Sequence, residues 1–134
     1  MAVGSVASTI ASLFGGWDAD ITLLVVAVAI DFITGLIVSG VFHNSPKTVN
    51  GALESKAGFK GLCRKAVIFL FVLIAYRLDI ALGINFIRTT VCIGFTVNEL
   101  ISITENAGLM GIPIPKVLIK AIDMLKSKSE SAGE

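Results

Sequence analysis

Two long apolar runs divide the chain, one over residues 21–42 and the other over residues 66–82. A helix needs about 20 mainly apolar residues to cross a hydrocarbon core roughly 30 Å thick. The first run meets that length and contains a single charge, Asp31. The second approaches it only if Arg77 and Asp79 lie near the outer boundary, where an arginine side chain can extend to the headgroups. The pattern therefore predicts a transmembrane helix in each run.

A third segment, residues 84–106, is long enough to span a membrane but is more polar. Its polar and small side chains recur every three or four positions, which places them on one stripe of a helix. A helix of this kind cannot be surrounded by lipid, so its stripe must face protein, water or the headgroup layer. The stripe residues are Asn85, Arg88, Thr89, Cys92, Thr96, Glu99, Ser102 and Asn106.

The two ends of the chain are not predicted to span. Residues 1–17 have apolar side chains near a 3.6-residue period, which favours an interfacial helix, with a partly ordered tail as the alternative. Pro113 and Pro115 end the third helix, and residues 116–128 then form a cytoplasmic amphipathic helix. The Ser- and Glu-rich residues 129–134 are expected to be disordered. The chain is thus predicted to be one all-α membrane domain, residues 1–134, with three transmembrane helices.

The positive charges are concentrated in two segments, and this predicts an orientation. Residues 43–65, expected to be a basic loop, carry five of the chain's 11 Lys and Arg residues. Cytoplasmic loops are enriched in Lys and Arg, so we expect this loop and the C-terminal helix inside and the N-terminus outside. Three spans satisfy this pattern, whereas two would place both ends on one side. The candidates for setting topology and contacting lipid are Lys47, Lys56, Lys60, Arg64, Lys65, Lys116 and Lys120.

Composition agrees with a membrane protein and argues against an enzyme. Charged residues are 16% of the chain, whereas soluble domains average about 25%. The single histidine, His43, has no nucleophile or metal ligand near it in the sequence, and no glycine-rich phosphate loop follows a strand. We therefore predict no catalytic site, no metal and no cofactor. A basic segment between two spans also suits anionic lipid better than nucleic acid.

Asp31 is the main candidate for a functional residue, because it lies near the middle of the first span. A carboxylate there costs on the order of 2.5–3.5 kcal/mol unless it is paired or protonated. It shares a face with small residues such as Gly35, which allows close helix contact. Its candidate partners are Arg77 and Arg88. The carboxylate either forms an ion pair that holds helices together or faces a water-filled or gated interface.

The polar stripe of the third helix has the same two interpretations. It either joins helices within one bundle or lines a pore. Because three helices enclose no aqueous channel, a pore would require several copies of the chain. Together with Asp31, Thr34 and Gly35, the stripe residues are the candidates for a pore lining or a helix interface.

Three motifs follow one another over roughly residues 27–125. The first is Asp31-Phe-Ile-Thr34-Gly35, and the second is the basic block of residues 55–65, which leads into an apolar helix. The third begins at Asn98-Glu99, continues through Glu105-Asn106, and ends in a Gly-x-Pro-x-Pro element at residues 111–115. In order and spacing, these motifs resemble the holins of the phage-lysis and toxin-secretion family of Gram-positive bacteria, their phages and prophages.

The resemblance implies a small protein that accumulates in the bacterial cytoplasmic membrane, associates with copies of itself, and opens lesions that release a cell-wall hydrolase. In some relatives the released protein is a toxin. The implied partners are further copies, membrane lipids, an endolysin or toxin that leaves through the lesion, and an antiholin. Two other functions stay open: an antiholin that opens nothing, and a small proton-coupled transporter using Asp31 and Glu99. The lack of an inverted repeat argues against the transporter.

Overall fold

A computed structural model describes residues 2–132, which form five α-helices and no strand. The predicted all-α class is confirmed. The helices are α1 (Ala2–Leu13), α2 (Ala19–Gly40), α3 (Ser55–Leu82), α4 (Ile87–Leu109) and α5 (Lys116–Ala132).

The first apolar run forms α2, a helix of 22 residues and about 33 Å. Asp18 caps its N-terminus, because its side-chain Oδ1 accepts a hydrogen bond from the Ile21 N–H at 3.0 Å. Within residues 2–132, α2 is the one helix that is both long and apolar enough to cross a membrane by length and composition.

The second apolar run lies in a helix that begins earlier than the sequence pattern indicates. Helix α3 starts at Ser55 and has 28 residues, about 42 Å, so the second half of the expected basic loop, residues 55–65, is its first three turns. The helix ends at Gly83, whose φ of 68° is the left-handed conformation common at helix C-termini. The connection that remains between α2 and α3 is residues 41–54.

Helix α4 begins directly after a short turn and is capped from the neighbouring helix. Both carboxylate oxygens of Asp79 on α3 accept backbone N–H groups, from Ile87 and from Arg88, each at 2.9 Å. These groups have no partner inside α4, since the first turn of a helix has no preceding carbonyls. Asp79, for which the sequence pattern suggested a place near the outer boundary of the bilayer, is buried and links the end of α3 to the start of α4.

Helices α2, α3 and α4 form a bundle in which α2 and α4 pack along their whole length. At one end, the Cys92 thiol lies 3.4 Å from the Asp20 carbonyl oxygen. At the other, the Asn44 side chain donates to the Leu109 carbonyl at 3.2 Å. The apolar core between these ends is formed by Ile21, Leu24, Val72 and Cys92.

Helix α1 precedes the bundle and has only a small contact with α3. Its side chains are almost all exposed, and two glycines separate it from α2. Gly15 adopts a φ of 90° and lies against the Tyr76 ring, where an added Cβ would be 2.8 Å from Cδ1. A helix forms over Ala2–Leu13, within the residues 1–17 for which an interfacial helix is predicted, whereas Met1 lies outside the described residues.

The C-terminal helix α5 folds back along α4 and runs antiparallel to it. Ile122 and Leu125 pack against Ile93 and Val97 on the side of α4 that faces away from the bundle. Near the far end of α5, the Ser129 hydroxyl donates to the Thr90 carbonyl at 3.4 Å. The helix includes residues 129–132, which the sequence predicted to be disordered, while residues 133–134 lie outside the described chain.

Candidate functional site

One lysine and two carboxylates from three helices meet inside the bundle. The Lys65 Nζ of α3 donates to Asp31 Oδ2 of α2 at 2.6 Å and to Glu99 Oε2 of α4 at 2.7 Å. Both carboxylates are buried, and the lysine side chain is nearly so. We call Asp31, Lys65 and Glu99 the inner triad.

Two further polar side chains extend the inner triad. The Asn106 amide of α4 donates to Asp31 Oδ1 at 3.1 Å and to the Thr34 hydroxyl at 2.9 Å. Gly35, which is partly buried, lies next to this amide. Each Asp31 oxygen thus has a donor, and α2 has polar contacts with both of the other helices.

Two carboxylates sharing one ammonium leave a formal charge of −1 in the interior. Removing charges from water is costly, and mutual attraction compensates only when geometry is good and the remaining lone pairs are satisfied. In the inner triad, three helices bring the charged atoms within hydrogen-bond distance, and both Asp31 oxygens accept a hydrogen bond. The arrangement therefore fixes the relative positions of α2, α3 and α4.

The predicted partners of Asp31 were wrong. Arg77 is exposed, and Arg88 binds elsewhere, whereas Lys65 was assigned to lipid contact and instead points into the bundle. The physical reason is that α3 begins at Ser55, so Lys65 is a helical residue on its bundle-facing side. A signal existed in the sequence, since Lys65 precedes Val72 and Asp79 at a spacing of seven residues, which places all three on one helix face.

Arg88 organises a second cluster at the N-terminal end of α4. Its guanidinium donates to Asp18 Oδ2 at 2.6 Å, to the Phe14 carbonyl at 2.8 Å and to the Gly16 carbonyl at 3.1 Å. These contacts tie the α1–α2 connection to the start of α4. We call Arg88, Asp18 and the two carbonyls the outer cluster.

The Asp18 carboxylate in the outer cluster has a lowered pKa. Burial alone raises the pKa of this carboxyl, but hydrogen bonds from Arg88 and from the Ile21 amide, with the Arg88 charge, outweigh burial. The net effect is a pKa below the usual range of an aspartate. The carboxylate therefore stays ionised at neutral pH and keeps its charge-assisted hydrogen bonds.

The polar stripe of α4 faces the inside of the bundle. Arg88, Cys92, Thr96, Glu99 and Asn106 are buried. Thr89 and Ser102 are partly buried, and Asn85 is exposed in the turn before α4. In this bundle the stripe lies at a helix interface, where its main polar groups have partners within the same chain.

A cavity of about 70 Å³ lies beside the inner triad, on the side of the 41–54 connection. Its walls are mixed: apolar side chains such as Phe32 and Leu53 line most of it, and polar groups line the part next to the inner triad. One of its wall residues, Thr48, has a buried hydroxyl without a hydrogen-bond partner. The walls include Asp31, Lys65, Asn106, Ser39, Ser45 and Thr48.

The remaining basic residues lie on the outside of the molecule. Lys47 is on the α2–α3 connection, and the others are exposed on α3 or α5. These exposed residues are Lys56, Lys60, Arg64, Lys116 and Lys120. Lys65 is the exception in the predicted lipid-contact set, because its ammonium lies in the inner triad.

Comparison with known proteins identifies related sequences. The profile of the Bacteriophage holin family matches residues 8–127. An uncharacterized protein of Halalkalibacterium halodurans is 40% identical over 126 residues, which cover 90% of this chain and 87% of that protein. An uncharacterized protein of Listeria monocytogenes is also 40% identical, over 87% of this chain and 79% of its own length.

A phage protein is among the relatives. The protein named "Probable holin" of Bacillus phage phi105 is 31% identical over 113 residues, which cover 84% of this chain and 78% of the phage protein. No solved structure matches the chain.

Proposed function

Because the chain belongs to the bacteriophage holin family, we propose that it assembles with copies of itself in the bacterial cytoplasmic membrane and opens lesions there. These lesions depolarise the membrane and release a cell-wall hydrolase or, as in some holin-like secretion systems, a toxin. The observation that carries the proposal is the family match over residues 8–127, together with a phage relative named a probable holin.

Three spans, α2, α3 and α4, are part of this proposal. Helix α2 has the length and hydropathy of a span. Its contacts with α4 extend from Asp20 to Asn44, and the inner triad joins it to α3. If α2 crosses the bilayer, these contacts place α3 and α4 at the same membrane depth as α2. This supports three spans, although α4 is more polar than α2.

The orientation we propose has the N-terminus outside and the 41–54 connection inside. The exposed cations on that connection and on the first turns of α3 support it, since cytoplasmic segments are enriched in Lys and Arg. The turn between α4 and α5 then also lies inside. Membrane lipids are the partners that these cations would contact.

A single subunit is closed to water and ions in this proposal. The polar groups of α2 and α4 are satisfied within the bundle by the inner triad and by Asn106, so one copy presents no aqueous path through its centre. Conduction therefore requires association of several copies. The partners proposed are further copies, an antiholin that limits assembly, and the endolysin or toxin that passes through the lesion.

The test is induced expression in a bacterium loaded with a membrane-potential dye, with and without a cytosolic muralytic enzyme. We expect abrupt depolarisation after a delay, and lysis only when the enzyme is present. Depolarisation without enzyme release would indicate small ion-conducting holes. An intact potential at full membrane expression would contradict the proposal and favour an antiholin or a transporter.

A further inference from the structure

We propose that the charged face of α5 lines the water-filled path of the assembled lesion, with α5 docked on α4 as in this bundle. The inference rests on the proposed holin function and deepens it. It assigns the conducting surface to α5, whereas the sequence pattern offered the polar stripe of α4.

Helix α5 packs along much of the length of α4. Helix α5 has 17 residues, about 25 Å, and its contacts with α4 run from Ile122 and Leu125 to the Ser129–Thr90 hydrogen bond. Thr90 lies near the end of α4 that the proposed topology puts outside. If α4 spans the membrane, α5 lies at membrane depth alongside it and not in the cytoplasm, where the sequence pattern placed the C-terminal helix.

The face of α5 turned away from α4 is charged. Lys116, Lys120, Asp123 and Ser127 lie on the side of α5 turned away from α4, and all are exposed. Charged groups facing hydrocarbon are unfavourable and, within membranes, face the bundle interior or a water-filled cavity. No described side chain covers this face, so in a membrane it requires water or another polar surface.

The polar stripe of α4 is less suited to line the path than the charged face of α5. The polar stripe of α4 is buried against α2 and α3, and its charged members have partners in the inner triad and the outer cluster. Exposing it would require the bundle to separate and the ion pairs to break. The α5 face is already exposed and needs no such change.

The outer surfaces of the other helices suit lipid. Large side chains such as Ile33 on α2 and Leu70 and Ile74 on α3 are exposed, which is favourable against acyl chains. The subunit thus has an apolar side, formed by α2 and by α3 after its first three basic turns, and a charged side formed by α5. A subunit that borders an aqueous lumen on one side and lipid on the other is expected to have two such sides.

Apolar flanks on α5 provide contacts between copies. Val117 and Met124 lie on one flank of the charged face and are 75% and 74% exposed. Ile119 lies on the other flank and is also exposed. Copies arranged around a lumen would cover these flanks with their neighbours while the charged face stays in water.

The test uses a bulky thiol-reactive polymer and current through lesions in planar bilayers. Ser127→Cys is made together with Cys63→Ser, which removes the exposed native thiol; the other native cysteine, Cys92, is buried. We expect polymer added to open lesions to cause a loss of current in this variant. The first control is the native chain, whose Cys63 lies on α3 away from α5, and its current should not change.

A second control places the thiol on the α4 stripe, as Ser102→Cys with Cys63→Ser. A loss of current in this variant, with none in labelled Ser127→Cys, would overturn the inference and restore the stripe as the lining. If no chain conducts, including the native one, the proposed holin function itself fails. The two failures are therefore distinguishable.

A disulfide tests whether α5 stays docked. A Cβ at Gly94 would lie 3.5 Å from the Ser129 hydroxyl, so Gly94→Cys with Ser129→Cys, in the Cys63→Ser background, can join α4 to α5. We expect the oxidised protein to release dye from vesicles as well as the reduced protein does. Release only after reduction would show that α5 must leave α4, and would overturn the inference.

Discussion

The inner triad and the outer cluster are each built around one cation, Lys65 on α3 and Arg88 on α4, but their charged side chains differ in exposure to solvent. In the inner triad the side chains of Lys65, Asp31 and Glu99 are 12%, 6% and 8% exposed. In the outer cluster Arg88 is 7% exposed, whereas its partner Asp18 is 49% exposed. Solvent screens the second pair and leaves the first almost unscreened.

The difference separates two roles. The inner triad joins three helices through charges that are shielded from water and pair with one another, so its integrity decides whether α2, α3 and α4 form one bundle. The outer cluster attaches the α1–α2 connection to the end of α4, using two backbone carbonyls that water can also satisfy. Disruption of the first should therefore cost more than disruption of the second.

The largest effect is expected from Lys65→Met, which leaves two carboxylates buried without their cation. Breaking a buried ion pair by removing one partner costs about 3–5 kcal/mol. Thermal unfolding in detergent micelles should show a strongly lowered midpoint. The matched control is Lys60→Met, an exposed lysine on the same helix, which should unfold like the native protein. Equal midpoints for the two variants would contradict the inner triad.

A smaller loss is expected from Arg88→Lys, because an ammonium cannot reproduce three guanidinium contacts. Losing hydrogen bonds that involve a charged group costs about 2 kcal/mol. The same unfolding measurement checks this value, with Arg77→Lys as the exposed control. A variant as stable as its control would mean that the outer cluster contributes nothing to stability.

Gly15→Ala tests the backbone that the outer cluster holds. Gly15 and Gly16 both have positive φ, 90° and 95°, so alanine strains either position by about 1 kcal/mol. Only at Gly15 would the new Cβ meet the Tyr76 ring, which adds about 1 kcal/mol more. Gly16→Ala is therefore the control, and equal stability losses in the two variants would disprove the contact with Tyr76.

The smallest effect is the pH dependence from Asp18. Its folded-state pKa is lowered, so its stabilising contribution is present above the unfolded pKa of about 4 and is lost as pH falls through the folded pKa. The free energy of unfolding should fall more steeply below pH 4 in the native protein than in Asp18→Asn. Parallel pH profiles would show that Asp18 does not have a depressed pKa.

The sequence predicted the helical class, and an ion pair between helices was one of its two interpretations of Asp31, because one charge inside a long apolar run is informative by itself. The motif resemblance to holins is confirmed by the family match. The partner of Asp31 was wrong because residues 55–65 carry Gly58, Gly61 and four cations, a composition typical of a loop. The packing of the bundle keeps this segment helical and directs only Lys65 inward.

The hydrophobic pattern of the sequence also did not predict where α5 packs. Its amphipathic character was predicted. That its apolar face covers Ile93 and Val97 of α4 is a tertiary contact, which depends on the direction of the chain after the 110–115 turn. Periodicity identifies the faces of a helix but not the neighbour that each face contacts.

The most direct test of the central claim, that the inner triad holds the spans of a holin together, is an exchange of its charges. Asp31→Lys and Lys65→Asp are made singly and together, and depolarisation is recorded after induced expression. We predict that each single exchange abolishes abrupt depolarisation, because Asp31→Lys sets two ammonium groups against Glu99 alone and Lys65→Asp brings three carboxylates together without a cation. The double exchange again places one cation between two carboxylates, and we predict that it restores depolarisation. A double variant as defective as the singles at equal membrane levels, or a fully active single exchange, would contradict the claim.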